Sequence, residues 1–157
     1  MDTDVEVRRS LDPLLYQEAF CGVEKWQIVN FGGCSGAVKG HHMLKKFLEA
    51  RAPIQFLDKD GKRNRMTCGF YDTKVAIQHG YVLDGTTQNI GGMNIYAFDY
   101  FHPYDYMSGK VNCTNHTYSI HWFNGGWLDE EMKLENEKTV AGFDKIYGYS
   151  LEHREDY

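Results

Sequence analysis

The sequence begins with two carboxylates one residue apart, directly before an apolar alternation. Asp2 and Asp4 precede Val5 and Val7, which are separated by Glu6. This pattern predicts a strand that presents both acids at one end. Because Mg²⁺ and Mn²⁺ prefer carboxylate oxygens as ligands, the two acids form a candidate metal site. The alternative is a solvated acidic terminus that frays.

Composition narrows the class of protein. With 157 residues, 42% of them hydrophobic and 25% charged, the chain fits one globular domain over residues 1–157. A net charge of −5 without a basic run argues against nucleic acid as a partner. No stretch reaches the roughly 20 apolar residues of a membrane span, and no signal-peptide pattern is present. We expect no transmembrane segment and a cytoplasmic protein, with a peripheral position at the inner membrane face left open.

Short strands are predicted along most of the chain. The apolar runs and alternations indicate strands at 5–7, 19–24, 81–83, 93–98 and 115–123, with 27–31 as a continuation or partner of the second. In the last of these strands His121 shares a polar face with Ser119, whereas Tyr118 and Ile120 belong to the opposite face. The order of these segments predicts a sheet interrupted by helices.

Helices are predicted between the strands. An amphipathic helix follows Gly40, with its apolar face formed by Met43, Leu44, Phe47 and Leu48. A second helix is expected to begin at a cap on Asp72 or Thr73 and to run through His79, where Gly80 closes it. Alternating Glu and Lys predict a solvated helix at 128–138.

Two other motifs are weak candidates for a site. The glycine-rich segment 32–36 is not followed by Gly-Lys-Ser or Gly-Lys-Thr, so it does not predict a phosphate-binding loop. His41 and His42 are adjacent, and side chains one residue apart on a helix point about 100° from each other. Since no third ligand is suitably spaced, we do not expect zinc there.

The motifs taken together resemble glycosyltransferase family 32, whose sugar-binding region contains an Asp-x-Asp motif. The likeness extends to about Asp129 and rests on the order of six segments: Asp2-Thr3-Asp4-Val5-Glu6-Val7, Leu14-Leu15, Ala19-Phe20-Cys21-Gly22-Val23-Glu24, Gly40-His41-His42, Tyr100-Phe101-His102-Pro103, and Asn115-His116-Thr117-Tyr118-Ser119-Ile120-His121-Trp122 with Trp127.

This resemblance implies an α/β fold of the GT-A type, a Rossmann-like mixed sheet with flanking helices. It implies retaining, metal-dependent transfer of a sugar from a nucleotide sugar to a glycan acceptor, in surface or capsular polysaccharide synthesis. By matching positions, Asp2 and Asp4 are the catalytic acids and hold Mn²⁺ or Mg²⁺ together with His121. Trp127 matches the tryptophan after that histidine, and we expect it to bind substrate with Tyr118 and Asn124.

Several alternatives stay open. His121 is a structural histidine in one of them, and Trp127 a core residue beside a Gly-Gly turn. Gly126 stands where the family usually has Ser, which removes a hydroxyl from the expected site. The match begins at the Asp-x-Asp motif, so the chain corresponds to the C-terminal portion of a GT-A domain.

The main alternative function is a catalytically inactive remnant that acts as a sugar-binding or interaction module. In that case an uncovered sheet edge would favour a homodimer, and the purified chain would show little Mn²⁺-dependent cleavage of UDP- or GDP-sugars. A metal-dependent hydrolase that uses Asp2, Asp4 and His121 is a third hypothesis, disfavoured because no separate general base stands out.

Overall fold

In the computed structural model the sheet is centred on strand β2 (Ala19–Val23), whose five residues are all buried. A continuous apolar run of this kind is expected for a strand covered on both faces. β2 pairs in parallel with β6 (Met93–Tyr96) and antiparallel with β3 (Val29–Asn30) and β4 (Gly36–Ala37). Strand β5 (Gln88–Ile90) then pairs antiparallel with β6. The sheet is therefore mixed.

The structure describes residues 1–64, 66–106, 108–126, 128 and 130–134. The chain divides into a first unit, Met1–Trp122, and a second that begins at Phe123, and each is described by itself. The other elements described in the first unit are a 3₁₀ helix (Asp12–Tyr16), the helices α1 (His42–Arg51), α2 (Cys68–Gln78) and α3 (Phe98–Phe101), and the strands β1 (Val5–Val7), β7 (Tyr104–Asp105), β8 (Lys110–Val111) and β9 (Ser119–His121). β1 pairs antiparallel with β9, and β7 with β8.

Two apolar clusters cover the two faces of β2. Cys21 and Val23 belong to a cluster that includes Met43 and Phe47 from α1 and buried residues of α2. Phe20, which alternates with them, belongs to a second cluster at the other face. That cluster is formed by Leu14, Phe20, Cys34, Phe101 and Tyr118. Because side chains alternate along a strand, β2 packs against α1 and α2 on one face and against the second cluster on the other.

The fold is mixed α/β, as the sequence predicts at this coarse level. The predicted strands at 5–7 and 19–24 are confirmed as β1 and β2, and β3 is the expected partner of β2. β6 and β9 lie within the predicted ranges 93–98 and 115–123. In the described part of the chain no helix combines the length and the apolar character needed to cross a membrane.

Both helices predicted in the first unit are present, but the buried face of the first and the start of the second differ from the prediction. The amphipathic helix is confirmed as α1, where Met43 and Phe47 are buried. Leu48 does not belong to the buried face, because it is 68% exposed. Helix α2 begins one turn earlier than expected, after Thr67, so the cap at Asp72 or Thr73 is wrong. Gly80 does follow the helix with a positive φ of 100°.

Asp72 and Thr73 lie inside α2 because both have buried partners. Thr73 Oγ1 donates to Gly69 O and accepts from Val29 N, which joins α2 to β3. Asp72 is paired with Arg51 at the end of α1. Tertiary contacts of this kind override the local preference of Asp and Thr for helix caps.

The strand predicted at 81–83 is wrong, since the residue range contains no strand and β5 instead begins at Gln88. Gly91 and Gly92 form the turn between β5 and β6. In the second unit residues 130–134 are helical, which agrees with part of the predicted helix at 128–138. Residues 129 and 135–138 of that prediction lie outside the described residues.

The Arg51–Asp72 pair gives a test of how the two long helices are joined. Arg51 Nε donates to Asp72 Oδ1 at 2.9 Å, and the guanidinium also contacts Oδ2. Burial raises the pKa of Asp72, and the hydrogen bond from Arg51 opposes that rise. The pair therefore stabilises a carboxylate that is otherwise unfavourable in the interior.

We predict that Arg51→Met lowers the free energy of unfolding by about 3 kcal/mol, because it leaves a buried carboxylate without its cation. The low end of the usual range applies since Arg51 is 38% exposed. Lys45→Met on the same helix is the matched control. It breaks only an exposed pair with Glu49 and should cost no more than about 0.5 kcal/mol. Equal losses in urea denaturation would contradict the role of the Arg51–Asp72 pair.

Candidate metal centre

The pairing of β1 with β9 brings the two ends of the first unit together. Val5 lies opposite His121, and Trp122 N donates to Asp4 O at 3.1 Å just beyond the strands. Residues 3 and 4 form a turn before β1, so the Asp4 side chain is not fixed by the alternation of the strand. This geometry lets Asp4 reach the side chain of His121.

Three side chains converge where the strands meet. His121 Nε2 lies 3.2 Å from Asp4 Oδ1 and 3.7 Å from Asp2 Oδ2. One ligand atom from each of the three residues lies within 4.8 Å of the others, and no other such group of His, Cys, Asp or Glu occurs among the described residues. The arrangement brings together the three residues that the sequence assigned to a metal.

Burial differs strongly among the three residues. The His121 side chain is 6% exposed, that of Asp4 22% and that of Asp2 61%. The predicted polar face of β9 is therefore an interior face, because Ser119 is buried as well and donates through Oγ to Gly33 O. The site has a buried nitrogen at its base and a carboxylate at the surface, which leaves one side accessible.

The donor set fits a small divalent cation. Neighbouring ligands of an octahedral ion with bonds of about 2.1 Å are about 3.0 Å apart. The separation of 3.2 Å between His121 Nε2 and Asp4 Oδ1 is close to this value, and the 3.7 Å to Asp2 Oδ2 is longer. Two carboxylates this close repel each other, and a cation between them would remove the repulsion. One imidazole beside two carboxylates favours Mn²⁺ over Mg²⁺, which prefers oxygen alone.

A different chemistry is compatible with the same distances. A protonated His121 would form ion pairs with Asp2 and Asp4 and would make the cluster a structural one. Both arrangements use the same atoms, so metal affinity, rather than geometry, distinguishes them.

Two consecutive glycines make room for the site. A Cβ at Gly32 would lie 2.9 Å from Asp2 Cγ, and one at Gly33 would lie 2.6 Å from Cε1 of His102. Gly32 O also accepts a hydrogen bond from Asp2 N at 2.8 Å. Residues 32–36, which do not match a phosphate-binding loop, thus have another role. Gly32 holds the backbone of Asp2, and the two glycines leave space for the side chains of Asp2 and His102.

His102 is a buried neighbour of the site that the sequence did not assign. Its ring centroid lies 5.7 Å from that of His121. Burial, reinforced by the nearby His121, lowers the pKa of His102 to about 3. His102 is therefore neutral near pH 7, and it adds no positive charge that would oppose a bound cation. The sequence signal for His102 was its position in the motif Tyr100-Phe101-His102-Pro103. A single histidine in such a motif does not show which residues it contacts in the fold.

Glu24 and Asn30 lie behind the glycine segment. Asn30 Nδ2 donates to Glu24 Oε1 at 2.8 Å, and Gly32 N donates to Asn30 Oδ1 at 2.6 Å. Burial raises the pKa of Glu24, and hydrogen bonds from Asn30 and Tyr106 oppose the rise. Neither Glu24 nor Asn30 was assigned from the sequence, because such contacts leave no periodic pattern.

The three expected substrate-binding residues belong to different parts of the chain. Tyr118 is 9% exposed, and the guanidinium of Arg9 covers its ring at 3.7 Å. Asn124 is an exposed residue of the second unit. Trp127 lies outside the described residues. Substrate binding by these residues stays a prediction.

Comparisons with models of known protein families, with curated proteins and with solved structures found no match.

The two glycines lead to a test of the steric argument. We predict that Gly33→Ala lowers the free energy of unfolding by about 3 kcal/mol, because the buried His102 ring cannot move away from the new methyl group. Gly32→Ala should cost less than about 1 kcal/mol, because the exposed Asp2 side chain can turn towards solvent. Urea denaturation of both variants measures the difference. Losses of equal size would show that the two neighbours are equally constrained.

The pKa of Glu24 predicts how stability depends on pH. Because the pKa is raised in the folded state, the unfolded chain ionises first as pH rises through about 4.5. Stability is therefore lost between that pH and the pKa of the folded state. Glu24→Gln, which cannot ionise, should raise the melting temperature at pH 7 and change it little at pH 4. A stabilisation of the same size at both pH values would contradict this explanation.

Proposed function

We propose that the chain is a metal-dependent glycosyltransferase that uses a nucleotide sugar as donor and a glycan as acceptor, with retention at the anomeric carbon. The observation that carries the proposal is the convergence of Asp2, Asp4 and His121. These are the residues to which the family resemblance assigns the metal, and His121 lies more than one hundred positions from the two acids. A motif match by chance gives no reason for His121 to lie 3.2 Å from Asp4.

The mixed sheet supports a GT-A type of fold as part of the same proposal. β2 and β6 are parallel neighbours, and ligands of α/β sheets bind near the carboxyl ends of such strands. Glu24 follows the carboxyl end of β2, and its hydrogen-bond partner Asn30 holds Gly32 beside Asp2. The candidate metal site is therefore connected to the end of the sheet where a nucleotide would be expected.

The residues of the site have distinct roles in this proposal. His121 is buried and orients one nitrogen towards the acids, Asp4 is half-buried beside it, and Asp2 is 61% exposed. When bound, Mn²⁺ or Mg²⁺ would neutralise the charge that develops on the diphosphate leaving group. Asp2 and Asp4 would hold the ion with His121, and the open side would admit the diphosphate of a nucleotide sugar.

Metal binding provides the first test. We expect Asp4→Asn and His121→Ala each to lower Mn²⁺ affinity at least about 10-fold in calorimetry, because each removes a ligand. Asp60→Asn and His42→Ala are matched controls with exposed side chains outside the cluster and should bind Mn²⁺ as the parent chain does. UDP or GDP should raise Mn²⁺ affinity, since an ion that bridges protein and diphosphate couples the two ligands. Unchanged affinity in both site variants would instead identify the cluster as structural.

Turnover distinguishes the transferase from the inactive-module alternative. A panel of UDP- and GDP-sugars is incubated with the chain and Mn²⁺, and release of the nucleoside diphosphate is measured. Release that disappears in Asp4→Asn supports sugar transfer chemistry at this site. Coupled binding of Mn²⁺ and nucleoside diphosphate without release supports a sugar-binding or interaction module.

A further inference from the structure

The hydrogen bonds around Asn30 form a continuous connection from the sheet to Asp2. Glu24 accepts from Asn30 Nδ2, Asn30 Oδ1 accepts from Gly32 N, and Gly32 O accepts from Asp2 N. The three distances are 2.8, 2.6 and 2.8 Å. Each link is a direct hydrogen bond, and the bond from Gly32 N to Asn30 Oδ1 is the shortest.

Gly32 N and Glu24 together determine which way the Asn30 amide faces. Gly32 N is a donor, so it requires the oxygen of the amide on its side. The amide nitrogen must then face Glu24, which offers a carboxyl oxygen. The two contacts therefore define one orientation of Asn30.

Asp2 depends on this connection more than the other two candidate ligands do. His121 is held by β9 and the buried core, and Asp4 is held by the hydrogen bond from Trp122 N to its carbonyl oxygen. Asp2 lies outside β1, and its side chain is 61% exposed. The hydrogen bond from Asp2 N to Gly32 O therefore supplies an anchor for its backbone.

We propose that Glu24 and Asn30 are positioning residues that hold Gly32, and through it Asp2, in place for metal binding. This inference rests on the proposed metal site and goes beyond it, since neither Glu24 nor Asn30 is one of the three proposed ligands. Asn30 provides the bond to Gly32, and Glu24 fixes Asn30. Loss of either should weaken the metal site through a wider range of Asp2 positions, without removal of a ligand.

A double-mutant cycle tests the coupling to Asp2. Mn²⁺ affinity is measured by electron paramagnetic resonance for the parent chain, Asn30→Ala, Asp2→Ala and the double variant. We expect Asn30→Ala to lower affinity about 10-fold, the size of effect typical for residues behind a ligand. In the Asp2→Ala background the same change should lower affinity less than about 2-fold, because the ligand through which Asn30 acts is absent.

Conservative variants separate positioning from a general loss of stability. Glu24→Gln keeps an oxygen that can accept from Asn30 and should retain affinity within about 2-fold, whereas Glu24→Leu should lower it about as much as Asn30→Ala. Asn89→Ala is a matched control in β5, next to the turn that leads to β6. Asn89 also accepts from a glycine N–H, that of Gly92, and donates to another side chain, that of Asn94. It should leave Mn²⁺ affinity unchanged.

The outcomes distinguish this inference from the proposed function. If Asp2→Ala and Asp4→Asn lower Mn²⁺ affinity but Asn30→Ala does not, the inference is wrong and the metal site stands. An equal effect of Asn30→Ala with and without Asp2 also overturns it, because the change then acts on the whole site. If neither Asp2→Ala nor Asp4→Asn alters affinity, the proposed metal site itself fails.

Discussion

The candidate site depends on the antiparallel pairing of β1 with β9. This ladder joins residues near the N-terminus to residues near position 120, with Val5 opposite His121. Closing so long a segment costs conformational entropy, and two strands of three residues are not stable by themselves. The ladder is extended by the hydrogen bonds from Arg8 N to Tyr118 O and from Trp122 N to Asp4 O. It is also packed on the core, since Ile120 is 3% exposed.

The loop after β3 supports both strands of this ladder. Gly32 O accepts from Asp2 N ahead of β1, and Gly33 O accepts from Ser119 Oγ on β9. The same two glycines lack side chains where the Asp2 carboxylate and the His102 ring approach. One short segment therefore provides both the hydrogen-bond acceptors and the space. Because its position follows from β3, the site is tied to the central sheet.

The sequence predicts those features that depend on periodicity or residue chemistry. The apolar run of β2, the amphipathic pattern of α1 and the pair of acids could be recognised from side-chain type alone, whereas the link between the acids and His121 came from the family resemblance. It does not predict features that arise from contacts between distant segments. Asp72 lies within α2 because Arg51 pairs with it, and His121 is buried because its face of β9 packs against the glycine segment. The contacts of Asn30 belong to the same class, since a hydrogen bond across a loop leaves no pattern in the sequence.

A metal bound at this site would be more than a ligand for substrate. Its protein ligands come from the segment before β1 and from β9, so the ion would connect the two strands whose pairing creates the site. An ion that binds only the folded chain adds about 2.7 kcal/mol to its stability at a concentration 100 times its dissociation constant. The coupling is reciprocal, so any change that destabilises the pairing of β1 with β9 also weakens binding of the ion. The short strands and the metal site would thus stabilise each other, and neither needs to be strong alone.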